Sequence, residues 1–170
     1  MYIINISMKK LFYPLVKNPF SEKDIQEGIK VLKSKQLTLS SQTHALENYF
    51  KKKFKVKFNA MVNSGSSANL LAFQTLINPY RKNRLKVNDE VLIPALCWPT
   101  SFWPIIQSNL KPVFVDCNKR NFNIDLEDLE KKITKKTKCL MLIHVLGHCA
   151  NMDQIMKIVK KYKLILIEDN

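Results

Sequence analysis

This 170-residue chain has only three glycines, two tryptophans and three histidines, and no apolar run near the roughly 20 residues that cross a bilayer. The missing run excludes a simple transmembrane helix. Scarce glycine excludes a collagen-like or linker-rich chain, and Gly28, Gly65 and Gly147 are each expected where the backbone needs what glycine allows. Acidic residues are also few, 14 Asp plus Glu against 28 Lys plus Arg, for a net charge of +14. Such a surplus suits an anionic partner, nucleic acid or a membrane surface, and leaves the fold open. Met1–Lys10 lacks the apolar block and small-residue cleavage site of a signal peptide, and a cytoplasmic protein is expected. Cys97, Cys117, Cys139 and Cys149 show no close paired spacing, which argues against a disulfide framework and for free thiols.

What is present is apolar residue in pattern. At 46% hydrophobic the chain can bury a core, which excludes disorder. Ser21 with Asp24 resembles a capping box and precedes Ile25, Ile29 and Leu32, predicting a helix near 21–35. Leu46, Tyr49, Phe50 and Phe54 stripe a second helix over about 43–53. Five short apolar runs then follow: Phe58–Val62, Glu90–Ile93, Pro112–Val115, Cys139–Ile143 and Leu164–Ile167. None alternates with polar residues as a half-exposed strand does, so a parallel sheet buried on both faces is expected. Helical stretches at 66–77, about 100–108, 126–133 and 152–162 separate them, the last two capped by Asp125 and Asn151. Pro104 is expected in a first helical turn or at a broken helix start. The reading is one α/β domain preceded by a helical arm. Because a buried strand is followed only by Glu168-Asp169-Asn170, the chain is expected to be the N-terminal part of a longer protein.

Ligands of open α/β sheets bind beyond the carboxyl ends of the strands. Ser64-Gly65-Ser66-Ser67 follows the first run and feeds a helix, where free N–H groups favour an anion such as phosphate; an ordinary cap has the same composition. Neither a Walker loop nor a G-x-G-x-x-G turn is present, so any phosphate belongs to some other cofactor. Asp169 either keeps a heterocyclic nitrogen protonated or caps a turn, and its position alone favours the cap. Trp98 either stacks on a flat ring or packs. His144, His148 and Cys149 lack a fourth ligand at a zinc spacing, and no metal is expected.

Taken in order, Val62-Asn63-Ser64-Gly65-Ser66-Ser67-Ala68-Asn69-Leu70, Asp89–Ala95, Lys111–Asp116, Phe122–Asp125, Asn151–Asp153 and Ile167–Asp169 resemble the DegT/DnrJ/StrS family of pyridoxal-phosphate (PLP) sugar aminotransferases. The resemblance runs from about Ser34 onward. It implies a three-layer α/β/α fold with a mostly parallel sheet, the N-terminal part of the large domain of PLP fold type I, with 1–40 as a helical arm and 41–170 as the partial cofactor-binding domain. It also implies pyridoxal 5'-phosphate as cofactor, held by Gly65, Ser66 and Ser67 at the phosphate, Trp98 on the ring and Asp169 at the ring nitrogen. Where members carry Gly-Pro, this chain reads Leu39-Ser40-Ser41-Gln42.

The implied reaction is amino transfer to a nucleotide-linked keto sugar for lipopolysaccharide or deoxyamino-sugar synthesis, with glutamate as amino donor and a homodimer as the working form. The Cys97–Gln107 and Arg84–Glu90 segments look most like the branch with nucleotide-sugar 3-dehydratases, in which histidine replaces the cofactor-bearing lysine. That catalytic residue is expected beyond Asn170 in either branch. A non-catalytic basic binding protein is the reading from another class. Against nucleic acid, the lysines of 51–53, 131–136 and 157–163 spread over several helix faces instead of concentrating on one element.

Overall fold

A computed structural model describes residues 17–38 and 40–170 of the protein. The signal-peptide reading of Met1–Lys10 and the place of Leu39 in the Leu39–Gln42 segment lie outside these residues. Two compact units divide between Met61 and Val62.

The first unit carries α1 (Glu22–Ser34) and α2 (Ser41–Phe54). The capping box forms as the sequence predicts: Ser21 Oγ accepts from the Asp24 N–H, and Asp24 accepts from the Ser21 N–H at 2.8 Å. Lys35 and Lys55 end the two helices in the left-handed conformation. Neither helix contains a buried residue, and the stripes built on Ile25 and Leu32, and on Leu46, Tyr49, Phe50 and Phe54, are exposed. The run Phe58–Val62 is not a strand, contrary to the sequence pattern. The Met61 N–H is engaged elsewhere, donating to Glu47 Oε1 at 3.0 Å, and the Asn59 side chain donates through Nδ2 to the Glu47 carbonyl. A strand needs a partner ladder for its N–H and C=O groups, and here a helix side chain takes the donor instead.

The second unit opens with α3 (Gly65–Ile77) and continues β1 (Glu90–Pro94), α4 (Pro99–Gln107), β2 (Lys111–Val115), α5 (Leu126–Lys131), β3 (Thr137–Ile143), α6 (Met152–Tyr162) and β4 (Ile165–Asp169). Among the described residues these four strands pair in parallel, in the order β2-β1-β3-β4. Strand periodicity sorts the apolar side chains into two cores. Leu92, Val115, Leu140 and Leu142 point to one face, where Leu129 of α5 and Ile155, Ile158 and Val159 of α6 cover them. Val91, Ile93, Cys139 and Met141 point to the other, under Phe73 and Leu76 of α3 and Ile105 of α4. Three layers result. Burial on both faces explains why the central runs show no polar alternation, and each fully buried Leu or Ile contributes about 1.5–3 kcal/mol.

Two local expectations change. Pro104 lies inside α4 and is buried, while Pro99 occupies the first helical turn. Of the glycines, only Gly147 has a backbone that favours the residue, at φ +76; a Cβ at Gly28 or Gly65 would meet open space.

At the amino end of the sheet Glu90 is buried, with a side chain 7% exposed. It accepts from Thr134 Oγ1 at 2.5 Å and from Thr137 Oγ1 and Lys111 Nζ at 3.3 Å each. The Thr134 hydroxyl is the main cause that holds its carboxyl below the usual glutamate value, with Lys111 and Thr137 adding to it against burial. A carboxyl lowered by folding stabilises the fold above its unfolded pKa, and that contribution is lost as pH falls through the folded value. Glu90→Gln is expected to cost about 1–3 kcal/mol at neutral pH. In urea titrations continued to acid, the variant should lose less stability below pH 4.5 than the parent protein.

Candidate functional site

The chain leaves β1 for β2 through α4 on one face, then returns past β1 to β3 and on to β4 through α5 and α6 on the other. Strands β1 and β3 are therefore neighbours whose connections depart in opposite directions, and their carboxyl ends flank the crevice where α/β sheets bind ligands. Asp169 ends β4 in register with Ile143 at the end of β3, and its carbonyl accepts from the His144 N–H.

Three elements converge on the Asp169 carboxylate. Oδ2 accepts from Asn69 Nδ2 of α3 at 2.8 Å and from Ser101 Oγ of α4 at 2.6 Å. Both donors are buried, and Asp169 is half-buried. Two donors on one oxygen fix and aim the group; Oδ1 accepts from neither of them.

Helix α3 starts at the same edge. Ser64 is its N-cap, and Ser64 Oγ accepts from the Ser67 N–H at 3.2 Å. The N–H groups of Gly65 and Ser66 begin the helix without an intrahelical acceptor, so two donors and the positive end of the helix dipole face outward. The open space at Gly65 lets a ligand approach the backbone closely. Ser66 and Ser67 line a hollow of about 200 Å³ with Leu70 of α3 and Thr100, Trp103, Pro104 and Gln107 of α4.

Trp98 is the N-cap residue of α4, 73% exposed, and its carbonyl accepts from the Ser101 N–H. Packing does not account for it. It does not line the hollow, yet it sits one turn from the serine that holds Asp169. His144 has both ring nitrogens engaged: Nδ1 accepts from the Ala150 N–H at 3.1 Å, and Nε2 lies 3.1 Å from Glu168 Oε2. Asn123 is buried and ties the loop after β3, accepting from the Val145 N–H and donating to the His148 carbonyl. Cys149 is exposed, whereas burial pushes the Cys139 thiol up to about 12.

Asn69 and Ser101 are the site residues that sequence reasoning missed. A signal existed for the first: Asn69 is a lone amide on an otherwise apolar stretch of α3, one turn after Ser66. For Ser101 the only signal is its place in the first turn after Trp98.

A family model described as the DegT/DnrJ/EryC1/StrS aminotransferase family matches residues 19–170. The chain belongs to this family. Among solved structures, Escherichia coli GDP-4-keto-6-deoxy-D-mannose-3-dehydratase with bound hydrated PLP superposes with a TM-score of 0.87 at 37% identity, over 93% of this chain and 40% of that one. A lipopolysaccharide biosynthesis protein of Salmonella typhimurium is 46% identical over 107 residues, 62% of this chain and 24% of that protein. GDP-perosamine synthase of Escherichia coli O157:H7 is 33% identical over 123 residues, 72% of this chain and 32% of that enzyme. The chain thus spans 40% or less of the length of these DegT-family relatives. Its four-stranded parallel sheet and flanking helices form the α/β/α fold of PLP fold type I enzymes.

Removing one donor leaves the half-buried Asp169 carboxylate less satisfied. Asn69→Ala and Ser101→Ala are each expected to lower unfolding free energy by about 1–3 kcal/mol. Because they share an acceptor, the double variant should depart from the sum of the two in chemical denaturation, whereas independent sites would add.

Proposed function

We propose that the full protein is a PLP-dependent enzyme acting on a nucleotide-linked keto sugar, and that it transfers an amino group to that sugar from a donor such as glutamate. The observation that carries the reading is the meeting of Asn69 and Ser101 on Asp169 at the carboxyl end of β4, on the same edge of the sheet as the open start of α3. The residues fit the cofactor by chemistry: an anion cradle, an oriented carboxylate and an exposed aromatic share one edge of the sheet. Residues 41–170 are read as the cofactor-binding portion and 1–40 as a helical arm.

In this reading the Gly65 and Ser66 N–H groups and the Ser66 and Ser67 hydroxyls bind the cofactor phosphate. Trp98 covers one face of the ring and excludes water. Asp169, aimed by its two donors, would hold a proton at the ring nitrogen. Bound PLP supplies an electron-poor ring that stabilises negative charge on the substrate carbon. The sugar chemistry follows the relatives, among them a GDP-perosamine synthase and a lipopolysaccharide biosynthesis protein. Homodimer formation is also proposed, supported by the exposed apolar stripes on α1 and α2. Removal of a sugar 3-hydroxyl is the second reading, favoured by the 37% identity and 0.87 TM-score to a 3-dehydratase.

One experiment addresses both. The full-length protein, PLP and glutamate are incubated with GDP-4-keto-6-deoxy-D-mannose, and the products are analysed by mass spectrometry. An aminated sugar nucleotide supports amino transfer, a 3-deoxy product supports dehydration, and unchanged substrate with no bound PLP sinks both. Asp169→Ala is expected to weaken PLP binding on the order of tenfold or more, since a hydrogen bond to a charged group is worth about 1.5–3 kcal/mol. Cofactor absorbance during titration measures that loss.

A further inference from the structure

The amino end of the same sheet gathers the basic residues that look scattered in the sequence. Two adjoining hollows, of about 560 and 490 Å³, open there. Lys135 and Lys161 line the first; Arg81, Arg84 and Lys86, from the connection between α3 and β1, line the second. Lys138 and Lys163 line both.

Backbone irregularities place the two shared lysines. Between β1 and β3 the register runs from Glu90↔Thr137 to Val91↔Cys139, so Lys138 is the extra residue of a bulge. A bulge re-aims a side chain, and Lys138 is exposed in a strand otherwise almost wholly buried. Lys163 ends α6 in the left-handed conformation at φ 55, two residues before β4 begins at Ile165.

The charge there is weakly compensated. Among the described residues, Lys161 pairs with Glu130, while Arg81, Arg84, Lys86, Lys135, Lys138 and Lys163 have no carboxylate within ion-pair distance. Asp89, the acid of the second hollow, accepts from the Lys86 backbone N–H. Lys138 Nζ donates to the Lys135 carbonyl, which holds the ammonium at the junction. Like charges gathered at concave walls raise the local potential and attract anions, and arginine forks match phosphate oxygens.

We propose that this end of the sheet binds a compact, multiply phosphorylated small molecule whose phosphates bridge the two hollows at Lys138 and Lys163. Concavity favours such a ligand over a bilayer, which presents a broad flat surface. Aromatic residues favour it over single-stranded nucleic acid: the Tyr162 hydroxyl is held by Glu130, leaving Tyr80, 96% exposed beside Arg81, in place of a stacking series. A five-residue strand, about 15 Å long, separates this face from the Asp169 site, and binding here is independent of the reading proposed for that site.

The test is calorimetric titration of the full-length protein with tripolyphosphate at physiological salt, with orthophosphate, a single-stranded oligonucleotide and phosphatidylglycerol vesicles as comparators. Tripolyphosphate should bind saturably, weaken as salt rises, and outbind each comparator. The doubly substituted Lys138→Glu, Lys163→Glu protein should lose at least about tenfold in affinity, as removal of charge-assisted contacts predicts. Lys23→Glu on α1, a charge reversal elsewhere, should leave affinity unchanged, and circular dichroism with PLP titration should show both variants folded and cofactor-competent to the parental degree. Absent saturation, equal binding by the charge-reversed protein, equal loss in Lys23→Glu, or tighter binding of any comparator overturns the proposal.

Discussion

The carboxylate of Asp169 is the point on which the candidate site depends. Its Oδ2 receives Asn69 from 100 residues earlier and Ser101 from 68 residues earlier. Neither donor reaches it through local structure. Phe73 and Leu76 hold α3, and Ile105 holds α4, against Val91, Ile93 and Met141 of the sheet, and that packing delivers the two side chains to the edge. A core of ordinary apolar residues thereby does the positioning, and the polar contacts read out its geometry.

The topology separates two kinds of chemistry along one set of strands. At the carboxyl ends lie a carboxylate with two donors, the open start of α3 and an exposed tryptophan. At the amino ends lie Glu90, satisfied by Thr134, Thr137 and Lys111, and around it a weakly compensated crowd of cations. The buried acid is structural, because its acceptors are filled. The cations are exposed, and their crowding raises the potential of that face. The +14 charge is therefore partly a local feature of the folded unit.

Legibility in the sequence followed the range of the interaction. The Ser21–Asp24 box, the Asp125 and Asn151 caps and the apolar stripe of α6 are contacts three or four residues long, and the structure has them all. Four of five apolar runs are strands, because continuous β-rich runs suit a sheet covered on both faces. Phe58–Val62 has the same composition yet pairs with nothing in a ladder, since Glu47 takes the Met61 N–H. Pro104 was misplaced for a related reason: a proline in a helix interior costs about 3 kcal/mol in isolation, and here its buried position in α4 overrides that preference.

The sequence by itself determined the four runs that become strands, the helices between them and the Ser21, Asp125 and Asn151 caps, because these rest on neighbours a few positions apart. The ordered motifs also carried the family. Only the tertiary structure decided that Asn69 and Ser101 serve Asp169, that Lys138 leaves its strand through a bulge, and that cations from three connections share one face. Each of these joins residues far apart in the chain. No periodicity records such a meeting, because it is fixed by strand order and by the packing of helices on the sheet.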